Sequence, residues 1–331
     1  MNRAAGKLRG MRMWRSVAVF VAICSWAAMV QSAPAHEAGA GSGEDCALAN
    51  RSSPRAVVRV IDGATLVLDD GSHVRLIGAL PPTSLDAAPA ARVRSEPDLG
   101  AHRRDTSATA SATEGVHDVW QPAVAAREAL ARFIDGRSVT LATAGRQRDR
   151  YGRVLAHVFV NEADGSALWL QGAMLAAGHA RAYGIPDTFS CMDALLAAEA
   201  PARTSGLGLW ANPAYAIRPA ALVWNLLRLR GTYQIVAGTV LTSQRVKSGW
   251  IYLNFGGNWR RDFSVSVAPG VSRAHPAWAA LLLDLKGRQV RVRGWIDRRN
   301  GPTINIEHPS QIEFMDADVA ARSPMRNTIQ H

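Results

Sequence analysis

Residues 57–82, VVRVIDGATLVLDDGSHVRLIGALPP, decide the fold of the first half of the chain. Apolar residues alternate with polar ones in three short runs, which contain Val58, Leu66 and Val74. Two turn-forming sequences, Asp-Gly and Asp-Asp-Gly, separate the three runs. Alternation between such turn signals predicts a meander of three short antiparallel strands.

Two arginines stand out in and after this stretch. Arg75 lies in the third predicted strand, where a charged side chain pairs with a carboxylate, extends to solvent or faces a functional groove. Arg153 ends the turn sequence RDRYGR at residues 148–153 and directly precedes an apolar strand predicted at residues 154–160. Arg75 is therefore a candidate for a functional site.

The order of these segments resembles the staphylococcal nuclease, or thermonuclease, family. The resemblance rests on DGAT at 62–65, RLIG at 75–78, DRYGR at 149–153, LQGAMLAAGHAR at 170–181 and GLGLW at 206–210. It covers about residues 56–212. The family fold that it implies is a five-stranded OB-type barrel carrying helices, so we expect a mainly β protein with helices, of the α+β class.

The same resemblance implies a chemistry that this chain has partly lost. Family members cleave phosphodiesters of DNA and RNA with Ca²⁺, a glutamate base and two arginines, and Arg75 and Arg153 fall on the arginine positions. The positions of the two metal-binding aspartates hold Ala64 and Leu80, and the position of the glutamate holds Thr83. Without a base or metal ligands little hydrolysis is expected, whereas guanidinium groups alone still bind phosphate.

Three further residues near these arginines are candidates for ligand binding, namely Asp62, Asp149 and Tyr151. Asp62 belongs to an Asp-Gly pair, which is more often a turn former than a ligand. The arginines also have a structural interpretation, in which Arg75 forms an ion pair with Asp149 and Arg153 belongs to the same network. The residues alone do not decide between ligand binding and structure.

Two other functions stay open at this point. An active nuclease would need carboxylates from elsewhere, such as Glu96, Asp98 or Glu114, and would use Ca²⁺ as the family does. An interaction module of the cell envelope would fit export equally well and would have no nucleic-acid role. No cofactor other than Ca²⁺ is expected, because no spacing of His, Cys and Asp is typical of a zinc site. The oligomeric state cannot be predicted from this sequence.

The first 35 residues are typical of a signal peptide. They combine five basic residues with an apolar run at residues 16–30 and end in Ala-Pro-Ala, which is a cleavage motif. We therefore expect an exported protein, periplasmic or secreted, with no membrane span after cleavage. In an oxidising compartment, the two cysteines outside this segment, Cys46 and Cys191, are expected to form a disulfide, with two free thiols as the alternative.

The rest of the chain divides by composition and pattern. We predict a flexible arm at 36–55, a nuclease-like domain at 56–212 with a flexible insertion at 83–121, a linker at 213–230, an OB-like domain at 231–315 and a tail at 316–331. Helices are predicted at 123–134, 168–177, 191–203 and 277–285. The order of three strands, one helix and two strands in the second domain predicts a second, smaller OB-like β-barrel.

The second domain carries the net charge. Removal of the first 35 residues would lower the formal net charge of the chain from +11 to +6, and residues 231–315 hold eleven basic against five acidic residues. The basic and aromatic residues of this domain that are candidates for binding are Arg245, Lys247, Trp250, Tyr252, Trp259, Arg260, Arg261, Arg291, Arg293, Trp295, Arg298 and Arg299. Such a set is typical of single-stranded DNA or RNA binding, although packing of the aromatic residues is an equal alternative. The Trp259-Arg260-Arg261 loop is the best candidate for ligand binding.

Overall fold

A computed structural model describes residues 48, 51–86, 120–143 and 145–323 of the chain. The predicted signal peptide, most of the predicted arm and insertion, Cys46 and the end of the tail lie outside the described residues. All described residues belong to one compact unit, which contains two separate hydrophobic cores. The division into two domains at the predicted boundaries stays a prediction.

The first half contains the predicted meander. Its elements are β1 (Val57–Asp62), β2 (Thr65–Leu68), β3 (His73–Leu76), β4 (Gly78–Leu80), α1 (Gln121–Ile134), β5 (Val139–Ala142), β6 (Val154–Asn161), β7 (Ala167–Trp169), α2 (Leu170–Ala176), β8 (Arg181–Tyr183) and α3 (Met192–Ser205). Strands β1, β2 and β3 pair in antiparallel order, and β3 continues into a parallel pair with β6. The sheet order is therefore β1-β2-β3-β6-β5, with β7 also paired to β6 and a separate β4-β8 pair.

The strand path of this sheet is open, with β1 at one end and β5 at the other. The chain just before β1 nevertheless reaches β5, because the backbone amide of Arg55 donates to the Val139 carbonyl and the Val139 amide donates back, both at 2.8 Å. A second isolated bridge joins Arg51 to Ala142. The described residues form a mixed α+β fold, and none of their sheets is a closed barrel by strand pairing.

Helix α1 shows how local sequence positions the first core. Pro122 occupies the first turn, where its missing amide costs nothing, and Asp135 ends the helix in the left-handed conformation. The spacing of Ala126, Leu130 and Ile134 is four residues, so the three side chains share one buried face. That face packs into the same core as the meander.

The second half has the predicted order of strands and helix, with additions. Its elements are β9 (Arg218–Pro219), α4 (Val223–Arg228), β10 (Tyr233–Thr239), β11 (Thr242–Arg245), β12 (Ile251–Asn254), β13 (Ser264–Val267), α5 (Pro269–Ala274), α6 (Pro276–Leu283), β14 (Gln289–Arg299), β15 (Gly301–Ile306), β16 (Ile312–Phe314) and α7 (Ala317–Ala321). The sheet order is β11-β12-β13-β15-β14-β10-β9, and β16 pairs with β14. The predicted linker therefore contributes a strand, β9, which pairs in parallel with β10.

A buried ion network joins the two halves. Arg293 on β14 is 1% exposed and makes a two-pronged contact with Glu199 on α3, which is 0% exposed, through two bonds of 3.0 Å. Arg203, one helical turn further, contacts Glu199 at 2.6 Å and Glu313 on β16 at 2.8 Å. Arg293 also contacts Glu313, and it donates to the backbone carbonyl of Ala182 at 3.1 Å.

This network corrects the expected location of two arginines. Arg293 and Arg291 do not lie on an open basic face, because Arg293 is buried and Arg291 contacts Glu313 at 2.9 Å. Burial alone would raise the pKa of Glu313, but the charges of Arg293 and Arg203 overcome that effect and lower it to about 2. Glu313 therefore stays ionised at neutral pH, and Glu199 and Glu313 each contact arginines from both halves.

Replacing Arg293 by methionine should destabilise the fold. The change leaves buried carboxylates with fewer cations, and breaking a buried ion pair from one side typically costs about 3–5 kcal/mol. We expect a clear drop in the urea midpoint for Arg293→Met. Arg288→Met is the matched control, because Arg288 is 39% exposed in its pairs with Asp316 and Asp318 and should cost less than about 1 kcal/mol. Equal midpoints for the two variants would contradict a stabilising role of the network.

His157 gives the first core a pH dependence. The ring is 0% exposed, its Nδ1 accepts the Trp169 indole N–H at 3.3 Å, and its Nε2 has no partner among the described residues. Burial lowers its pKa from 6.5 to about 4. Between these values the unfolded chain binds a proton that the folded chain does not, so stability decreases as the pH falls.

The loss from His157 alone should be roughly 2.5 kcal/mol between pH 7.5 and pH 4.5. Over the same pH interval, the free energy of unfolding in urea should fall less for His157→Gln than for the wild-type protein. The difference between the two losses should be roughly 2.5 kcal/mol. Glutamine keeps an acceptor for the Trp169 indole but does not titrate. An identical pH dependence in both proteins would show that His157 is not buried in the neutral form.

Candidate phosphate-binding site

The parallel pairing of β3 with β6 positions the two candidate arginines. Arg75 lies opposite Leu155, and Val74 lies opposite Val154, the residue that follows Arg153. Residues far apart in the sequence thus meet at one end of this strand pair. The two guanidinium groups are close enough that the charge of Arg153 lowers the pKa of Arg75, after the larger effect of burial.

Arg75 has one ion-pair partner among the described residues, and the contact is long. Its Nη1 lies 3.5 Å from Asp62 Oδ1 and 3.3 Å from Thr65 Oγ1, and its side chain is 21% exposed. Asp62 is engaged in its own turn, where it accepts the Ala64 backbone amide at 2.8 Å and the Thr65 hydroxyl at 3.0 Å. The guanidinium of Arg75 therefore retains donors for a further anion.

Asp149 organises the turn that carries Arg153. Its carboxylate accepts the Arg153 Nε–H at 2.7 Å and the backbone amides of Arg153 and Tyr151 at 3.0 and 2.9 Å. Although burial opposes it, these hydrogen bonds hold the pKa of Asp149 below its usual value. The expected pairing of Arg75 with Asp149 is wrong, because the direct partner of Arg75 is Asp62 and that of Asp149 is Arg153.

Tyr151 covers the outer side of this turn. Its side chain is 67% exposed, with the guanidinium carbon of Arg153 5.3 Å and that of Arg150 4.7 Å from the ring centroid. The structure thus brings Asp62, Asp149 and Tyr151 to the two arginines, as the sequence predicts. Arg75 and Arg153 form the candidate site, and Tyr151 provides an exposed aromatic ring at its edge.

The three positions that lack carboxylates have other roles. Ala64 is 0% exposed and belongs to the first core. Leu80 pairs with Arg181 between β4 and β8. Thr83 donates its backbone amide to Asp86 at 2.8 Å, so its main chain holds a local turn. None of the three places an oxygen ligand or a base beside Arg75.

The residues of this site do not fit Ca²⁺. A calcium ion takes six to eight oxygen ligands, several of them carboxylates, whereas Asp149 is held by Arg153 and Asp62 is engaged in its own turn by the Ala64 amide and the Thr65 hydroxyl. Within the described ranges, no group of three or more His, Cys, Asp and Glu side chains is arranged to hold a metal ion. Glu96, Asp98 and Glu114, the alternative carboxylates, lie outside the described residues.

Two features near the site were not anticipated from the sequence. Tyr183 lies near enough to act on the pKa of Arg75, and its ring packs edge-on against Tyr233 at 5.1 Å and Trp295 at 6.3 Å. These three rings line a cleft of about 400 Å³. No local pattern could predict this cluster, because Tyr183 comes from the first half and the other two rings from the second.

The second feature is a clasp of Asp86, Trp120 and Tyr215. The Tyr215 hydroxyl donates to Asp86 Oδ2 at 3.2 Å and accepts the Trp120 indole N–H at 2.9 Å. Burial raises the pKa of Tyr215. The clasp joins the beginning and the end of the predicted insertion to the predicted linker.

The Trp259-Arg260-Arg261 loop lies elsewhere, between β12 and β13 in the second half. Trp259 is 55% exposed, and the guanidinium carbon of Arg260 lies 5.1 Å from its ring centroid. Among the described residues, no ion pair or side-chain hydrogen bond joins this loop to Arg75 or Arg153. The loop is therefore a separate candidate surface.

One family model matches the chain at residues 112–212, and its description is staphylococcal nuclease homologue. This region is nuclease-like. It contains Arg153, Asp149 and Tyr151, whereas Arg75 and the meander precede the matched residues. No curated protein matches the chain. Within the part of the chain that the structure describes, no helix is both long and apolar enough to span a membrane.

The disulfide stays a prediction, because Cys46 lies outside the described residues. Cys191 directly precedes α3 and adopts the left-handed conformation with φ of 65°. Protein exported to the periplasm and denatured without reductant should show no reactive thiol from this pair, and two thiols after reduction. Cys191→Ser should release one thiol without reductant. Two thiols in the unreduced wild-type protein would contradict the bridge.

Proposed function

We propose that this chain is an exported relative of staphylococcal nuclease that has lost hydrolytic activity and binds the phosphates of nucleic acid through Arg75 and Arg153. The observation that carries the proposal is that the guanidinium groups of Arg75 and Arg153 lie close together where β3 pairs with β6. The positions at which the family has carboxylates hold Ala64, Leu80 and Thr83 in this chain. In this proposal the first sheet is an OB-type barrel, supported by the hydrogen bonds between Arg55 and Val139. The second half is a smaller OB-like unit.

The electrostatics of Arg75 favour an anionic ligand. Burial and the charge of Arg153 both disfavour its protonated form, and its contact with Asp62 is long at 3.5 Å. A phosphate group between Arg75 and Arg153 would offset this repulsion. Guanidinium groups suit that ligand, because their planar donors match two phosphate oxygens at once.

Hydrolysis lacks its chemical groups at this site. A general base must reach the attacking water within hydrogen-bond distance, and Thr83 has no group that ionises near neutral pH. Asp149 is held by Arg153, and Asp62 is engaged by the Ala64 backbone amide and the Thr65 hydroxyl, so neither carboxylate is free to act as a base. Binding without cleavage is thus the function that these residues support.

The test combines cleavage and binding of single-stranded DNA. We expect no cleavage by the purified chain with Ca²⁺ or with EDTA, and binding that weakens with salt. Arg75→Ala/Arg153→Ala should lower affinity about tenfold or more, since hydrogen bonds to charged groups contribute about 1.5–3 kcal/mol each. It should also reduce the slope of log affinity against log salt by roughly 1.4, because two phosphate contacts are lost.

Arg127→Ala/Arg132→Ala is the matched control, because both arginines are exposed on α1 and their removal makes the same change in charge. Ca²⁺-dependent cleavage that disappears in the Arg75/Arg153 variant would show that a carboxylate outside the described residues completes an active nuclease. An equal loss of affinity in both double variants would mean that only general charge attracts DNA. No affinity at any salt concentration would favour an envelope interaction module.

A further inference from the structure

A second basic groove lies in the second half, away from the Arg75–Arg153 pair. It has a volume of about 1060 Å³ and runs between helix α4, the loop before β13 and the hairpin of β14 and β15. The side chains that matter here are Trp224, Arg228, Arg260, Arg261, Arg298 and Asn300. Cavities for small molecules span about 300–1,000 Å³, so this groove lies at the upper limit of that range.

The charge of the groove is strongly positive. Four arginines and one carboxylate, that of Asp262, contribute to its lining. The Asp262 carboxylate accepts the backbone amide of Asn258 at 2.7 Å, so it is engaged within the loop. In the described chain, no carboxylate lies within ion-pair distance of Arg260, Arg261 or Arg298. The groove thus offers guanidinium groups that protein carboxylates do not neutralise.

An exposed aromatic ring accompanies these charges. Trp224 is 77% exposed on α4, although the neighbouring Leu226 is fully buried. Trp259 is 55% exposed and carries the guanidinium of Arg260 over its ring. Large exposed indoles next to arginines provide flat surfaces for stacking, and bases of a single strand stack on such surfaces regardless of sequence.

Close backbone packing holds the loop before β13, which carries Arg260 and Arg261, against the hairpin of β14 and β15. A Cβ atom added to Gly301 would lie 2.4 Å from the Asp262 carbonyl oxygen and 2.5 Å from the Arg261 carbonyl. Gly256 is similarly tight, because a Cβ there would meet the Asp262 carboxylate at 2.2 Å. The groove is therefore a built concave surface, in which Arg261 and Arg298 lie on elements that touch.

We propose that this groove binds single-stranded nucleic acid, with Arg260, Arg261 and Arg298 on the phosphates and Trp224 stacked on a base. Cationic groups along a concave path with an exposed ring match the alternation of phosphate and base in a single strand. The proposal does not depend on phosphate binding at Arg75 and Arg153, because no residue is shared between the two sites.

The experiment measures fluorescence anisotropy of a labelled 15-nucleotide oligo(dT) with the purified chain over a range of salt concentrations. Arg260→Ala/Arg261→Ala should lower affinity about tenfold and reduce the salt slope by roughly 1.4. Trp224→Ala should lower affinity about fivefold or more without changing the slope, because stacking involves no counterion release. Thermal melting verifies that each variant is folded, and both changes are at exposed positions.

Arg273→Ala/Lys286→Ala is the matched control, because both residues are exposed in the same half but do not line the groove. The proposal holds if the groove variants lose affinity while this control keeps it. It is overturned if the control loses as much affinity, if Trp224→Ala has no effect, or if the groove variants lose binding only to phosphatidylserine vesicles. The Arg75→Ala/Arg153→Ala protein serves as a second reference, so failure at one site is distinguishable from failure at the other.

Discussion

The buried contact between Glu199 and Arg293 is the constraint on which the arrangement of this molecule depends. Glu199 is 0% exposed and also accepts the backbone amide of Ala182, so it ties α3 to β8 as well as to β14. A charge in such a position is costly unless every oxygen is paired, and here the cations come from both halves of the chain. Separating the two cores would therefore break these ion pairs and leave each charged group without its partner.

This rigid junction gives the two candidate surfaces a fixed platform. The Arg75–Arg153 pair lies where β3 pairs with β6 in the first sheet. The second basic groove, which Trp224 and Arg261 line, lies in the second half of the chain. The first surface is partly buried, whereas the second is an open groove. Both present arginine side chains, and residues 112–212 match the model of the staphylococcal nuclease homologues.

Local pattern predicted much of the fold and one part of the candidate site. The meander and α1 follow from strand alternation and helix signals, and the resemblance to nucleases drew attention to Arg75 and Arg153, which the structure brings close together. The sequence did not identify the ion-pair partner of Arg75, which contacts Asp62 rather than Asp149. Glu199 and Arg293 are 94 positions apart, so nothing local marks their burial. Trp224 was assigned to a linker, and only the folded chain brings it beside Arg261.

The clasp of Asp86, Trp120 and Tyr215 has a consequence for the evolution of this chain. It anchors both ends of residues 87–119 on one hydroxyl group, at 3.2 and 2.9 Å. The cost of closing a loop grows only slowly with its length once the ends are held. A change in the number of residues between Asp86 and Trp120 should therefore cost the fold little as long as the clasp holds both ends in place.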